Sequence, residues 1–213
     1  MVRKISAEVP DEVLRVDLDR YRQRVIELGA TDAKIITTDM ILIDERVRAK
    51  CMVPVCRSLG KNINCPPNTM DLDMIRKVVS RFQYAIFYMF RVPSSELAGP
   101  ESREKRLNAR STIKNWEVSA KIESEAFYDG YHLAMAFSGG PCESYLCPNQ
   151  ECQALTPGKG CRHPYIARPA MEGVGMDAFT MAARVGWEVY PIGASIPPSE
   201  VPHGTKLGIV LIY

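Results

Sequence analysis

The sequence has no long apolar run and almost no surplus of charge, and each shortage removes a class of function. Its most strongly apolar stretch, YAIFYMF at 84–90, is far short of the roughly 20 residues needed to cross a bilayer. No membrane span is expected. The 27 basic and 25 acidic residues leave a net charge of +2, which supplies no broad field for nucleic acid or anionic lipid. Any anion binding must be local, and sustained nucleic-acid signals are absent. The opening MVRKISAEVPDEVL has basic residues with no apolar run behind them, so it does not read as a secretory signal, and the chain is expected in the cytoplasm.

What is present suits an ordinary globular chain. With 213 residues and 46% hydrophobic content, one sizeable core can form, and a single domain over 1–213 is expected. Leu18, Tyr21, Val25 and Leu28 recur at helical spacing, with Asp17 as N-cap and Gly29 just past the end. Residues 34–43 favour a strand interrupted at Asp39, and 84–92 a buried central strand. Asn68 or Thr69 is placed to cap a helix bearing Leu72, Ile75 and Val79. A long helix is expected over 102–129, a strand at 131–138, a helix over 170–185, and strands at 187–192 and 207–213. The class is α/β in the α+β sense: a mixed β-sheet packed with helices, carrying two cysteine-rich loops at about 51–67 and 142–164.

The seven cysteines set the chemistry. Cys51, Cys56 and Cys65 are separated by four and then eight residues, and Cys147, Cys152 and Cys161 repeat those gaps. Both long gaps hold a Gly-Lys pair, at Gly60-Lys61 and Gly158-Lys159, so the loops read as two similarly built ligand sites. Cys142 precedes the second loop by a further four-residue gap, which makes the inventory three plus four. Lasting disulfides are uncommon in a reducing compartment, so metal ligation ranks above a disulfide framework. Zinc takes four thiolate or imidazole ligands and could be held by the second group. Iron–sulfur clusters are also held by thiolates, use longer spacings, and often have proline after a ligating cysteine. Here Cys65 precedes Pro66-Pro67 and Cys147 precedes Pro148, which favours two 4Fe-4S clusters over zinc.

These residues also resemble a known family. VRAKC with Cys51, Cys56, Gly60-Lys61 and Cys65-Pro66-Pro67, then GGPC ending at Cys142, Cys147-Pro148, Cys152, Cys161-Arg162 and RPAMEGVGMD at 168–177 are similar to the predicted metal-binding family labelled domain of unknown function 2284. The resemblance covers roughly residues 45–193. It implies metal binding through these cysteines in a family of archaea and anaerobic bacteria, and it brings no established reaction.

Bland readings stand beside these. A lone cysteine is often a small buried hydrophobe, but seven in two matched loops are not. His163, two residues after Cys161, could be a ligand, although one loop histidine is more often a surface hydrogen-bonding residue; His132 and His203 are read as structural. Arg57, Lys61, Lys159, Arg162 and Arg168 could offset thiolate charge or attract an anion, or simply be solvated. Glu172 and Asp177 form no helical pair, and Met171, Met176 and Met181 are read as core.

Three functions compete. A three-cysteine and a four-cysteine cluster would leave one iron open, suiting an electron carrier or iron-sulfur oxidoreductase with a redox partner protein or small-molecule substrate. A metal-binding module without turnover could deliver a cluster or use zinc for folding. A single cluster shared by both loops would leave surplus thiols.

Overall fold

One run of sequence organises the sheet. Residues 84–92 form β2 (Tyr84–Val92), the strand expected there, and its side chains alternate between two apolar layers. Ile86, Tyr88 and Phe90 enter one core, whereas Ala85, Phe87 and Met89 enter the other. In the computed structural model, which describes residues 2–213, β2 lies between β1 (Asp32–Thr37) and β4 (Gly204–Leu211). β3 (Met135–Phe137) follows, giving the order β1-β2-β4-β3. The architecture is α+β, with helices on both faces of one sheet.

Every strand pair is antiparallel, which corrects the mixed sheet expected from sequence. Parallel pairing among the described residues is confined to an isolated bridge between Ser138 and Ala170. The strand expected at 187–192 does not form. Trp187 instead packs on Phe87 with ring centroids 5.0 Å apart and donates from Nε1 to Asp32 Oδ2 at 2.7 Å. Its burial therefore comes from packing on the sheet face, not from joining a ladder.

The first face is covered by α1 (Asp11–Glu27) and α5 (Ala109–Tyr128), through Leu14, Leu18, Tyr21 and Val25 and through Val118, Ile122 and Ala126. The second face is covered by α3 (Leu72–Val79), α7 (Ala178–Arg184) and the tight turn Glu172–Val174, with Met171, Met176 and Met181 in its core as expected. The long helix expected at 102–129 is divided into α4 (Pro100–Glu104) and α5. Likewise, the helix expected from 170 begins only at 178, because Gly175 turns the chain with φ +84, a conformation side chains disfavour. No helix among the described residues is long and apolar enough to cross a membrane.

Asp17 is not the N-cap of α1 but lies inside it, 2% exposed. It accepts from Arg3, from Arg20 Nη2 at 2.8 Å and from the Tyr131 hydroxyl at 2.7 Å. Burial alone would raise its pKa, but bonds from Arg3, Tyr131 and Arg20 outweigh it and hold the carboxyl below the usual carboxylate range. A carboxylate with a depressed folded pKa adds stability above its unfolded pKa of about 4, and that stability is lost as pH falls through the folded value. Asp17→Asn should therefore cost roughly 2–3 kcal/mol at neutral pH, with a smaller cost in acid. Denaturant melts of both proteins at pH 7 and pH 3 check this; an equal cost at both would contradict it.

Candidate metal centre

The first cysteine loop is pinned at both ends. α2 (Glu45–Ala49) leads into Cys51, its N-cap Asp44 accepting from Arg46 N at 2.7 Å. The loop exits into α3, capped by Asp71 rather than by Asn68 or Thr69, with Met74 N donating to Asp71 Oδ1 at 2.8 Å. Arg48 ties entry to exit by donating from Nη1 to the Met70 carbonyl at 2.6 Å. The second cysteine segment leaves β3 through Gly139-Gly140-Pro141, reaches Cys142, and forms only the short α6 (Glu143–Leu146) before an exposed stretch at 148–151.

Cys51, Cys56 and Cys65 line one cavity of about 60 Å³, together with Gly140, Pro141 and Glu172. One water needs roughly 10–15 Å³ on such a measure, so the space holds more than a single solvent molecule. The three first-loop thiols proposed from spacing thus border one space, although among the described residues no three His, Cys, Asp or Glu side chains converge closely enough to hold an ion. Cys142, Cys147, Cys152 and Cys161 do not line this cavity. All seven thiols are free.

Cys142 is buried beside the first loop and receives a hydrogen bond from Asn64 Nδ2 at 3.4 Å. Its Sγ lies 3.8 Å from Asn62 Oδ1. Asn62 is fully buried and satisfied on every side: Nδ2 donates to Glu143 Oε2 at 2.6 Å, Oδ1 accepts from Asn64 N at 2.9 Å, and its carbonyl accepts from Asn68 Nδ2 at 3.0 Å. Through Glu143 and Cys142, this one amide joins the first loop to the start of the second. In the second loop, Cys161 Sγ accepts from His163 N at 3.3 Å.

The repeat seen in sequence has a structural counterpart. In each loop the residue three past the middle cysteine returns a hydrogen bond to it, from Leu59 N to Cys56 O at 3.0 Å and from Leu155 N to Cys152 O at 3.1 Å. Each Gly-Lys pair closes a turn, with Lys61 N bonding Ser58 O at 3.2 Å and Lys159 N bonding Thr156 O at 3.1 Å. Gly60 and Gly158 both take positive φ, +74 and +76. The turns sit at different points within their gaps, so the loops match in spacing and turn type, not residue by residue.

Burial pushes the Cys65 thiol up to about 12 and the Cys142 thiol up to about 11, and it raises Cys51 as well. These groups stay protonated at neutral pH unless a cation replaces the proton, so metal uptake must release protons. Glu172 is ringed by protein atoms, which pushes its carboxyl upward despite the hydrogen bond from Gly140 N at 2.8 Å. The residue is nonetheless exposed to solvent, and it also borders the cavity. Thiols in two loops, some buried and met by amide donors, are soft donors of the kind a thiophilic metal takes.

The family model for predicted metal-binding proteins (DUF2284) matches residues 34–212. The chain belongs to this family. No curated protein and no solved structure matches it. The DUF2284 match runs from within β1 to the end of β4 and takes in both loops and all seven cysteines, while α1 lies outside it.

Other sequence candidates have plainer roles within the DUF2284 region. Arg168 pairs with Glu123 of α5, its Nε 2.6 Å from Oε2, and Arg162 Nη1 donates to the Glu151 carbonyl at 2.6 Å. Asp177 caps α7 by accepting from Thr180 N at 3.0 Å. Arg57, Lys61 and Lys159 are exposed and form no ion pair among the described residues. His203 meets the Glu188 carbonyl at 3.2 Å and the Tyr190 ring. Asn62 and Asn64 were missed in sequence; the Asn-x-Asn just before Cys65-Pro66 is their sole local signal.

Proposed function

We propose that this protein is a cytoplasmic iron–sulfur protein, one metal-binding domain over 1–213, that carries two 4Fe-4S clusters and works in electron transfer or as an oxidoreductase. Cys51, Cys56 and Cys65 hold one cluster, and Cys142, Cys147, Cys152 and Cys161 hold the other. The observation that carries this reading is the partition of thiols: three share a cavity from which the other four are absent. Among the described residues, no three His, Cys, Asp or Glu side chains, His163 included, converge closely enough to hold a single ion. A thiolate zinc site, with bonds of about 2.3 Å, would bring its sulfurs to within about 4 Å of each other. A cluster takes each thiolate on a separate iron, so its ligand sulfurs stand farther apart than those of a single ion.

When bound, such clusters supply one-electron chemistry and, at an iron lacking a thiolate, a Lewis-acidic position. The chain's own groups prepare for this. Asn64 donates to Cys142, and His163 N donates to Cys161, which stabilises the thiolate forms. Asn62, within the first loop, meets Glu143 and Cys142 and so fixes one loop against the other. Exposed Arg57, Lys61 and Lys159 offer local positive charge to an anionic substrate or a redox partner protein.

The test exploits the unequal loops. Brief oxidation of protein shown to hold both clusters should give a three-iron paramagnetic signal, because three cysteines leave one iron without a thiolate. The signal should vanish in a Cys51→Ser, Cys56→Ser, Cys65→Ser variant and persist in Cys142→Ala. Its absence from the intact two-cluster protein would make the first centre an electron relay with no exchangeable iron.

A further inference from the structure

The cavity that gathers the three first-loop thiols has one further charged lining group, Glu172. The carboxylate is held there by the backbone on both sides. Gly173 sits so close to the first loop that a Cβ would lie 3.4 Å from the Asn64 carbonyl and 3.5 Å from Pro66 Cδ. Gly175 packs against Asp44 and Leu72, and a Cβ there would collide with Leu72 Cδ2. Asp44 N donates to the Gly175 carbonyl at 2.9 Å, and Ile43 bridges Met176. The turn carrying Glu172 is therefore fastened to the entry of the first loop at 43–44 and packed on its exit at 64–66.

Glu172 is also half-satisfied. Its Oε1 accepts from Gly140 N at 2.8 Å, while Oε2 receives no hydrogen bond from the described residues. Glu172 is solvent-exposed as well as bordering the thiol cavity, so its remaining lone pairs are free to accept a ligand. Lys206 lends it positive charge at longer range but bonds Thr112 instead, whereas ligated thiolates of Cys51 and Cys65 would add negative charge beside it. A cation between the thiolates and the carboxylate satisfies both.

We propose that Glu172 is the fourth protein ligand of the first-loop centre, binding through a carboxylate oxygen the iron that Cys51, Cys56 and Cys65 leave without a thiolate. This rests on the iron–sulfur reading above and completes its three-cysteine site. A carboxylate oxygen is harder than a thiolate and a poorer match for this iron, so Glu172 is an exchangeable ligand. An incoming anion or substrate displaces it, and the carboxylate keeps its bond to Gly140 N as it withdraws. Glu172 thus guards the iron until the proper ligand arrives, with no change in electron count.

The experiment uses the full chain, reconstituted anaerobically, with Glu172→Gln and Glu172→Cys beside the wild type. Glu172→Gln keeps an acceptor for Gly140 N and removes the anionic ligand; Glu172→Cys supplies a thiolate. Each is assayed for iron and sulfide, then treated briefly with ferricyanide or titrated with cyanide, with electron paramagnetic resonance as readout. In Glu172→Gln the three-iron signal should form about tenfold faster, and cyanide should perturb the reduced spectrum at about tenfold lower concentration. In Glu172→Cys the three-iron signal should be suppressed and the cyanide effect lost. If both variants carry wild-type iron and sulfide yet behave as the wild type, Glu172 is not a ligand and the cluster reading stands. If the wild type holds stoichiometric zinc with no sulfide, the cluster reading falls and this proposal with it.

Discussion

Removing the metal with an anaerobic chelator is expected to lower the melting temperature by about 10 °C and to open both cysteine loops to protease. The loops have little of their own to keep them ordered. Of residues 51–67, only Ser58, Asn62, Cys65 and Pro66 are buried, and of residues 142–164 only Cys142. So little apolar burial cannot offset the roughly 1–2 kcal/mol of backbone entropy lost per ordered residue. On the proposed reading, ligand bonds that exist only in the folded chain supply the difference. Metal at a thousandfold over its dissociation constant contributes about 4 kcal/mol, and a domain of this size shifts by about 2–4 °C per kcal/mol. Trypsin offers a sharp readout, because Arg57, Lys61, Lys159 and Arg162 are exposed within the loops. Cleavage after these residues should be fast in the stripped protein and slow in the loaded one, with β2 and β4 surviving as large fragments. Identical melting and identical fragments before and after chelation would contradict it.

Gly208→Ala should be nearly as damaging, for a reason wholly within the sheet. Gly208 of β4 stands opposite Tyr88 of β2, and the tyrosine ring fills the space its missing side chain leaves. A Cβ there would collide with Tyr88 Cζ and its hydroxyl, and would come within 2.9 Å of Asn115 Oδ1. Tyr88 is fully buried, and its hydroxyl lies 3.1 Å from the Asn115 carbonyl and 2.5 Å from Ser119 Oγ. A single methyl therefore forces the ring off its place and breaks its tie to α5. Overpacking and an unsatisfied buried hydroxyl together cost about 3–5 kcal/mol. Denaturant melts measure this directly, and the cost should shrink in a Tyr88→Leu background, where no ring is left to displace. Equal costs in both backgrounds would contradict the packing argument.

Local pattern made the second strand fully legible, since a short, largely apolar run bounded by polar segments has few other fates. Matched gaps also reported the shared turn construction of the two cysteine loops. Local pattern misled where a residue's role depends on distant neighbours. Asp17 looks like a helix cap by its place before an apolar stripe, yet Arg3 and Tyr131, far off in the chain, make it a buried anchor. Residues 187–192 look like a strand by composition, whereas Trp187 spends its burial against Phe87. Glu172 looks like a helical residue until Gly175 turns the chain and delivers it to the first-loop cavity. No spacing rule links residue 172 to residues 51, 56 and 65; only the fold does.

The central claim is that the seven thiols hold two iron–sulfur clusters, and anaerobic purification followed by iron, sulfide and zinc analysis per chain tests it most directly. Electron paramagnetic resonance of the same sample fixes the nuclearity. The account predicts brown protein with about eight iron and about eight sulfide per chain, falling to about four of each in the Cys51→Ser, Cys56→Ser, Cys65→Ser variant. Colourless protein with stoichiometric zinc and no acid-labile sulfide would contradict it.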